Sequence, residues 1–217
     1  MTNDLFDDEP QSKTVIEKIA PGAVLLRGFA AGHANLLLSS FNRITELAPL
    51  RHMVTSGGHA MSVAMSNCGL LGWVSDARGY RYLPRDPASG ERWPLMPNAW
   101  QNLASQAAAR AGYADFKPDA CLINAYTPGA KMGLHQDRDE QDFAQPIVSV
   151  SLGLPAVFLF GSCKRNDKPQ RLRLNDGDVV VWGGPARLAF HGVAPLADGW
   201  HCCWGRRRVN LTFRCAA

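Results

Sequence analysis

No two of the six cysteines form a CxxC pair, and none follows the spacing of a disulfide framework. That excludes stapled secreted scaffolds and most structural zinc folds. The adjacent Cys202 and Cys203 could bridge each other only with strain, so the plain reading is reduced thiols. His201-Cys202-Cys203 is the one stretch where a zinc site is conceivable. Long apolar runs are missing too. The longest, Ile147 to Gly161, is broken by Ser149, Ser151 and Pro155, too short and too polar to span a bilayer. The first ten residues carry Asp4, Asp7, Asp8 and Glu9, the opposite of a signal peptide's charge. A cytoplasmic protein without membrane contact is expected. Charge of one sign is not in excess. The 23 Lys and Arg against 19 Asp and Glu give +4, which permits a polyanionic partner without demanding one. Repeats and low-complexity tracts are absent.

What is present fits one soluble domain. The chain has 217 residues, 46% of them hydrophobic, enough for a substantial core. Residues 1–20 read as a leader and Val24 to Phe29 as a short strand. Ala34 to Leu47 has helical spacing, with Leu37, Phe41, Ile44 and Leu47 along one stripe and Pro49 as the stop. Asn98 to Ala111 reads as a second helix, with Asn98 as N-cap and Gly112 closing it. Between them, residues 51–93 are glycine-punctuated and alternate. Met61, Val63 and Met65 share one face, and Arg78, Tyr80 and Tyr82 another, as in hairpins forming a semi-independent flap.

From Pro118 onward the chain becomes strand after strand. Leu122 to Tyr126, Lys131 to Asp137, Ile147 to Leu154, Ala156 to Phe160, Arg171 to Leu174, Val179 to Trp182, Arg187 to His191 and Arg208 to Arg214 are separated by turn signals such as Thr127-Pro128-Gly129. About eight short strands in about a hundred residues predict a sandwich or jelly roll with flanking helices.

His135-Gln136-Asp137 carries the strongest chemical signal. Two apart on an extended strand, His135 and Asp137 project from one face. With His191 from a distant strand they make a 2-His-1-carboxylate facial triad, which leaves open positions on Fe(II) as non-heme oxygenases require. The tripeptide alone is common. The C-terminal strand adds weight: Arg208, Asn210, Thr212 and Arg214 point one way, and Val209, Leu211 and Phe213 the other. An edge strand with a wet polar face is one reading. The other turns the polar face inward, where two guanidiniums need anions. With no acids obviously nearby, a dicarboxylate ligand would serve, gripped by Arg208 and Arg214. Asn124 and Tyr126 share a face of an earlier strand, either to join that anion or to satisfy local backbone.

The residues together resemble a known family. Asn124-Ala-Tyr-Thr-Pro-Gly-Ala-Lys131, His135-Gln-Asp137, Pro146 to Pro155, Lys164-Arg-Asn-Asp167, Gly177 to Gly184 and Asn210-Leu-Thr-Phe-Arg214 are similar to bacterial AlkB, as are Asp4-Leu-Phe6 and Met61 to Trp73. The resemblance spans nearly the whole chain, although the approach Cys202 to Arg207 departs from the pattern. It implies one domain over 1–217: leader, strand and helix in 1–50, a nucleotide-recognition lid in 51–93, and a helix plus double-stranded β-helix catalytic core in 94–217. It implies Fe(II) held by His135, Asp137 and His191, with 2-oxoglutarate and O2 as co-substrates. Arg208 would meet the distal carboxylate of 2-oxoglutarate, helped by Tyr126 and Asn210, with Arg214 and Asn124 at the chelating end. Thr55, Met65, Trp73, Tyr80, Tyr82, Asp139 and Arg165 would contact substrate.

The activity implied is oxidative demethylation of 1-methyladenine and 3-methylcytosine in single- or double-stranded DNA, with RNA a further candidate. It would release formaldehyde and convert 2-oxoglutarate to succinate and CO2, in a monomeric enzyme. Both lesions are cationic, so Trp73 and Tyr80 offer π faces and Asp139 a counter-charge. The competing readings are flap residues packing on the core and a solvated loop acid. Lys131, Arg138, Lys164, Arg165, Arg206 and Arg207 are candidates to steer phosphates, against scattered surface charge. The alternative function is a related oxygenase acting on a protein or small molecule.

Overall fold

The computed structural model describes residues 15–217; Asp4-Leu-Phe6 lies outside them. In chain order, β1 (Ile16–Ala20), β2 (Ala23–Leu26), α1 (Ala34–Leu47), β3 (Arg51–Val54), β4 (Ala60–Gly69), β5 (Gly72–Asp76), β6 (Gly79–Leu83) and α2 (Asn98–Arg110) precede a run of eight strands. These are β7 (Ala120–Tyr126), β8 (Met132–His135), β9 (Ile147–Gly153), β10 (Ala156–Phe160), β11 (Gln170–Leu174), β12 (Val179–Trp182), β13 (His191–Val193) and β14 (Arg208–Arg214). They form an eight-stranded sheet, ordered β1-β2-β12-β9-β14-β7-β4-β3, facing a four-stranded sheet ordered β11-β10-β13-β8. The fold is a jelly roll with two helices outside the larger sheet.

Two cores explain the strand sequences. Val148, Val150, Leu152, Val209, Leu211 and Phe213 pack in one cluster with Phe41 of α1 and Trp100, Leu103 and Ala107 of α2. The helices supply apolar stripes at three- and four-residue spacing, as period-3.6 amphipathicity requires. Ile147, Phe158, Phe160, Val180, Trp182 and Val193 fill a second cluster. Central strands are therefore buried on both sides, and the run Val179 to Trp182 reads as uninterrupted apolar residues for that reason.

The structure revises several sequence expectations. The leader contains β1, which pairs antiparallel with β2. The flap is smaller than 51–93: β3 and β4 belong to the large sheet, β4 pairing with β7, and only β5 and β6 form a separate hairpin. Trp93 packs with Ala48 and Val74 beneath that hairpin. Pro97, not Asn98, precedes the first turn of α2. Leu47 faces solvent, 68% exposed, so the buried stripe of α1 ends at Ile44. The stretch before His191 holds a 3-10 turn at Gly184–Ala186, and β13 starts at His191 instead of ending there.

β14 is no edge strand. It pairs with β7 on one side and β9 on the other, and all seven residues are buried. Its apolar residues face the helices, so Arg208, Asn210, Thr212 and Arg214 are driven to the interior between the sheets.

Candidate active site between two cavities

β13 and β8 place His191 opposite His135, with ring centroids 4.4 Å apart. Gly192 allows this approach, since a Cβ there would lie 2.7 Å from the Met132 carbonyl oxygen. Asp137 sits just past the end of β8. Its Oδ1 lies 3.5 Å from His135 Nε2 and 3.8 Å from His191 Nε2. The Nδ1 of His135 contacts the Gly133 carbonyl at 2.9 Å, and that of His191 the Ala189 carbonyl at 3.0 Å. A carbonyl only accepts, so each Nδ1 carries a proton, and each ring turns its Nε2 toward Asp137.

Electrostatics reinforce this donor set. Burial pushes His191 down to about 4, and the neighbouring His135 adds to the shift, so its imidazole is neutral. Burial alone would raise Asp137, but the Arg214 guanidinium overrides it and holds the carboxyl well below its usual range. Two imidazoles and one carboxylate, with atoms close enough to share an ion, suit a divalent first-row metal and leave further coordination positions free.

Arg214 corrects the sequence reading that neither guanidinium has an acid nearby. Its Nε and Nη2 donate to Asp137 Oδ2 at 3.0 and 2.6 Å, and its Nε lies 3.3 Å from Glu140 Oε1. Glu140 also accepts from Arg187 at 2.9 Å and from the Tyr82 hydroxyl at 2.6 Å. Arg187 in turn donates to the Asp137 and Gln145 carbonyls. Sequence reasoning missed Glu140 and Arg187, although a buried arginine on β14 demanded an acid and the segment after Asp137 offered one. Tyr82 was expected at the substrate; it belongs to this buried network and does not line the large cavity. Arg187→Met should lower stability by about 3–5 kcal/mol, because it removes one partner of a buried pair. It should also weaken metal binding roughly 10- to 100-fold, as loss of support for a ligand does. Urea unfolding with and without metal checks both.

Arg208 is the opposite case. It is 1% exposed, and its Nη2 donates to Ser151 Oγ at 3.0 Å. Its Nε and Nη1 have no partner, and the guanidinium lies 5.0 Å from the Tyr126 ring centroid. A buried cation with two orphaned donors is costly unless an anion meets it. Asn124 Oδ1 is also unpartnered. Asn210 is already occupied: its amide donates to Ser149 and Val150 while its oxygen accepts from Thr212. The two orphaned Arg208 donors fit one end of a small dicarboxylate, whereas the Asn124 oxygen, an acceptor, calls for a donor.

Two cavities meet at His135 and Arg214. The smaller is lined by Asn124, Tyr126, Arg208, Asn210 and Arg214 with His135 and His191. The larger, about 730 Å³, is lined by Thr55, Met65, Trp73, Tyr80, Asp139 and Arg165 with His135 and Asp137. Trp73 stacks on Tyr80 with centroids 5.5 Å apart, and its Nε1 donates to Asp139 Oδ2 at 2.7 Å. Lys131 and Arg138 also line this cavity, whereas Lys164, Arg206 and Arg207 do not. Arg206 pairs with Asp198 at 2.6 Å, and Arg207 covers the Phe41 ring.

A jelly roll bearing this triad beside an open arginine defines an oxygenase that uses iron and a 2-oxo dicarboxylate. The family model of the 2OG-Fe(II) oxygenase superfamily matches residues 22–214. Alpha-ketoglutarate-dependent dioxygenase AlkB of Salmonella typhimurium is 54% identical over 99% of this chain and 98% of its own length. The Escherichia coli protein of the same name is 55% identical over 97% and 96%. The solved structure of OsALKBH1 superposes with a TM-score of 0.79 at 29% identity, covering 92% of this chain and 99% of that one. The chain belongs to the AlkB family of Fe(II)- and 2-oxoglutarate-dependent dioxygenases.

Proposed function

We propose that the protein removes methyl groups from N-alkylated bases, 1-methyladenine and 3-methylcytosine, in single- or double-stranded DNA, with RNA as a further substrate polymer. The observation that carries this reading is the pair of cavities meeting at one triad, one suited to a dicarboxylate and the other walled by Trp73, Tyr80 and Asp139. His135, Asp137 and His191 hold Fe(II). Arg208 takes the distal carboxylate of 2-oxoglutarate over the face of Tyr126. Asn124 and Arg214 border its other end, and Asn210 braces the pocket floor through its own hydrogen bonds.

Iron with O2 and 2-oxoglutarate supplies the oxidation that hydroxylates the methyl carbon, with succinate and CO2 as co-products. The protein's own groups do the rest. The larger cavity receives an extruded base, which costs less to flip when methylation already prevents pairing. Trp73 stacks on the cationic ring, Asp139 faces its charge and exocyclic amine, and Thr55, Met65 and Arg165 complete the walls. The β5–β6 hairpin acts as the nucleotide-recognition lid over one catalytic domain, and Lys131 and Arg138 attract the phosphates. The hydroxymethyl group left on the ring nitrogen then separates as formaldehyde, restoring the base. No described helix is long and apolar enough to cross a membrane. We place the protein in the cytoplasm as a monomer.

Formaldehyde release from a 1-methyladenine oligonucleotide, with Fe(II), ascorbate and 2-oxoglutarate, tests the reading. Trp73→Ala should lower kcat/KM by roughly 5- to 150-fold, the worth of about 1–3 kcal/mol of base stacking. An untouched oligonucleotide, with 2-oxoglutarate consumed only alongside a peptide or small molecule, would replace it with the alternative.

A further inference from the structure

Among the described residues, one other group of metal-ligating side chains converges outside the active site. His201, Cys202 and Cys203 bring their ligand atoms within 4.8 Å of one another. None of the three lines either cavity. They cap a tight loop in which His201 and Gly205 exchange both backbone hydrogen bonds, at 3.0 and 2.8 Å. The loop is anchored from below by Trp204, which is 2% exposed and packs edge-on against Phe41 at 5.3 Å. Its flank is pinned by the Arg206–Asp198 ion pair. The thiols are therefore exposed on a rigid base.

We propose that His201, Cys202 and Cys203 form a second metal site, for a thiophilic divalent ion of the zinc type, with Asp176 supporting the histidine. Cys202 and Cys203 Sγ are 3.6 Å apart. Two thiolates on one tetrahedral zinc, each about 2.3 Å from the ion, stand about 3.8 Å apart. The ring places Nδ1 beside Cys203, whose backbone N–H reaches it at 3.3 Å, and Nε2 beside Asp176 Oδ2 at 3.8 Å. A metal that displaces this N–H and takes the Nδ1 lone pair leaves Nε2–H to face the carboxylate, the arrangement that fixes tautomer and ring orientation in histidine metal sites. Two thiolates and a neutral imidazole balance a dication and leave a fourth position open. Ligation would deprotonate both thiols.

Cobalt(II) is the probe, since thiolate ligation gives a near-ultraviolet charge-transfer band that the sulfur-free iron site cannot. In the full-length protein, kept reduced with a phosphine, the band should saturate at one equivalent, with a second cobalt bound silently in that region. Cys202→Ser/Cys203→Ser should lose the band and one equivalent while demethylation persists. His135→Ala should keep the band, and zinc should bleach it. Asp176→Asn should weaken the site roughly 10- to 100-fold. Absence of the band in the reduced wild-type protein, or its persistence in the double-serine variant, would overturn the proposal.

Discussion

Replacing His135 with alanine is expected to abolish demethylation, lowering the rate by at least on the order of a thousandfold, while the protein stays folded. The two halves of that result have separate causes. Metal catalysis supplies several kcal/mol, and each ~1.4 kcal/mol is a tenfold change in rate. A site left with Asp137 and His191 alone has lost one of its three donors. Stability is spared because the His135 side chain is 40% exposed at the mouth of the larger cavity. Coincident urea unfolding curves and loss of bound iron are the accompanying observations. Retained turnover would mean that the triad has been assigned to the wrong residues.

Arg208→Met is expected to raise the 2-oxoglutarate requirement steeply. Losing one partner of a buried, hydrogen-bonded charge pair costs about 2–5 kcal/mol of binding, or roughly 30-fold to several thousandfold in affinity. A second, less intuitive result follows from the orphaned Nε and Nη1 of Arg208. Without co-substrate this arginine is a buried cation short of partners, so an apolar side chain of similar length should leave the unliganded protein no less stable. The wild-type protein should gain thermal stability on adding 2-oxoglutarate by mass action, and the variant should not at the same concentration. An unchanged requirement, or a variant that unfolds before binding is tested, would count against Arg208 as an anchor kept open for ligand. The same substitution at Arg214 differs in kind, because Arg214 already neutralises Asp137 and Glu140.

Much of this site was legible because it lies on regular strands. A period of two separated Arg208, Asn210, Thr212 and Arg214 from Val209, Leu211 and Phe213, and His135 was placed by the same logic. The stripe Leu37, Phe41 and Ile44 marked α1 at the bounds observed. What escaped depends on tertiary pairing. Sequence could not show that β3 and β4 extend the large sheet through β7, so the flap was drawn too large. Nor could it choose between an edge and a central place for β14. Arg187 read as the start of a strand, and Glu140 was not singled out. Their partnership across 47 residues of sequence emerges only from the fold. Tyr82 shows the same limit: alternation put it beside Tyr80, yet its hydroxyl turns inward to Glu140.

The most direct measurement is a single-turnover reaction of the iron-loaded enzyme with a 1-methyladenine oligonucleotide and 2-oxoglutarate, followed by mass spectrometry and succinate quantification. One methylene equivalent should leave the oligonucleotide for each succinate formed, with formaldehyde in equal amount. Succinate accumulating while the oligonucleotide mass stays unchanged would contradict the placement of the methylated base beside the triad.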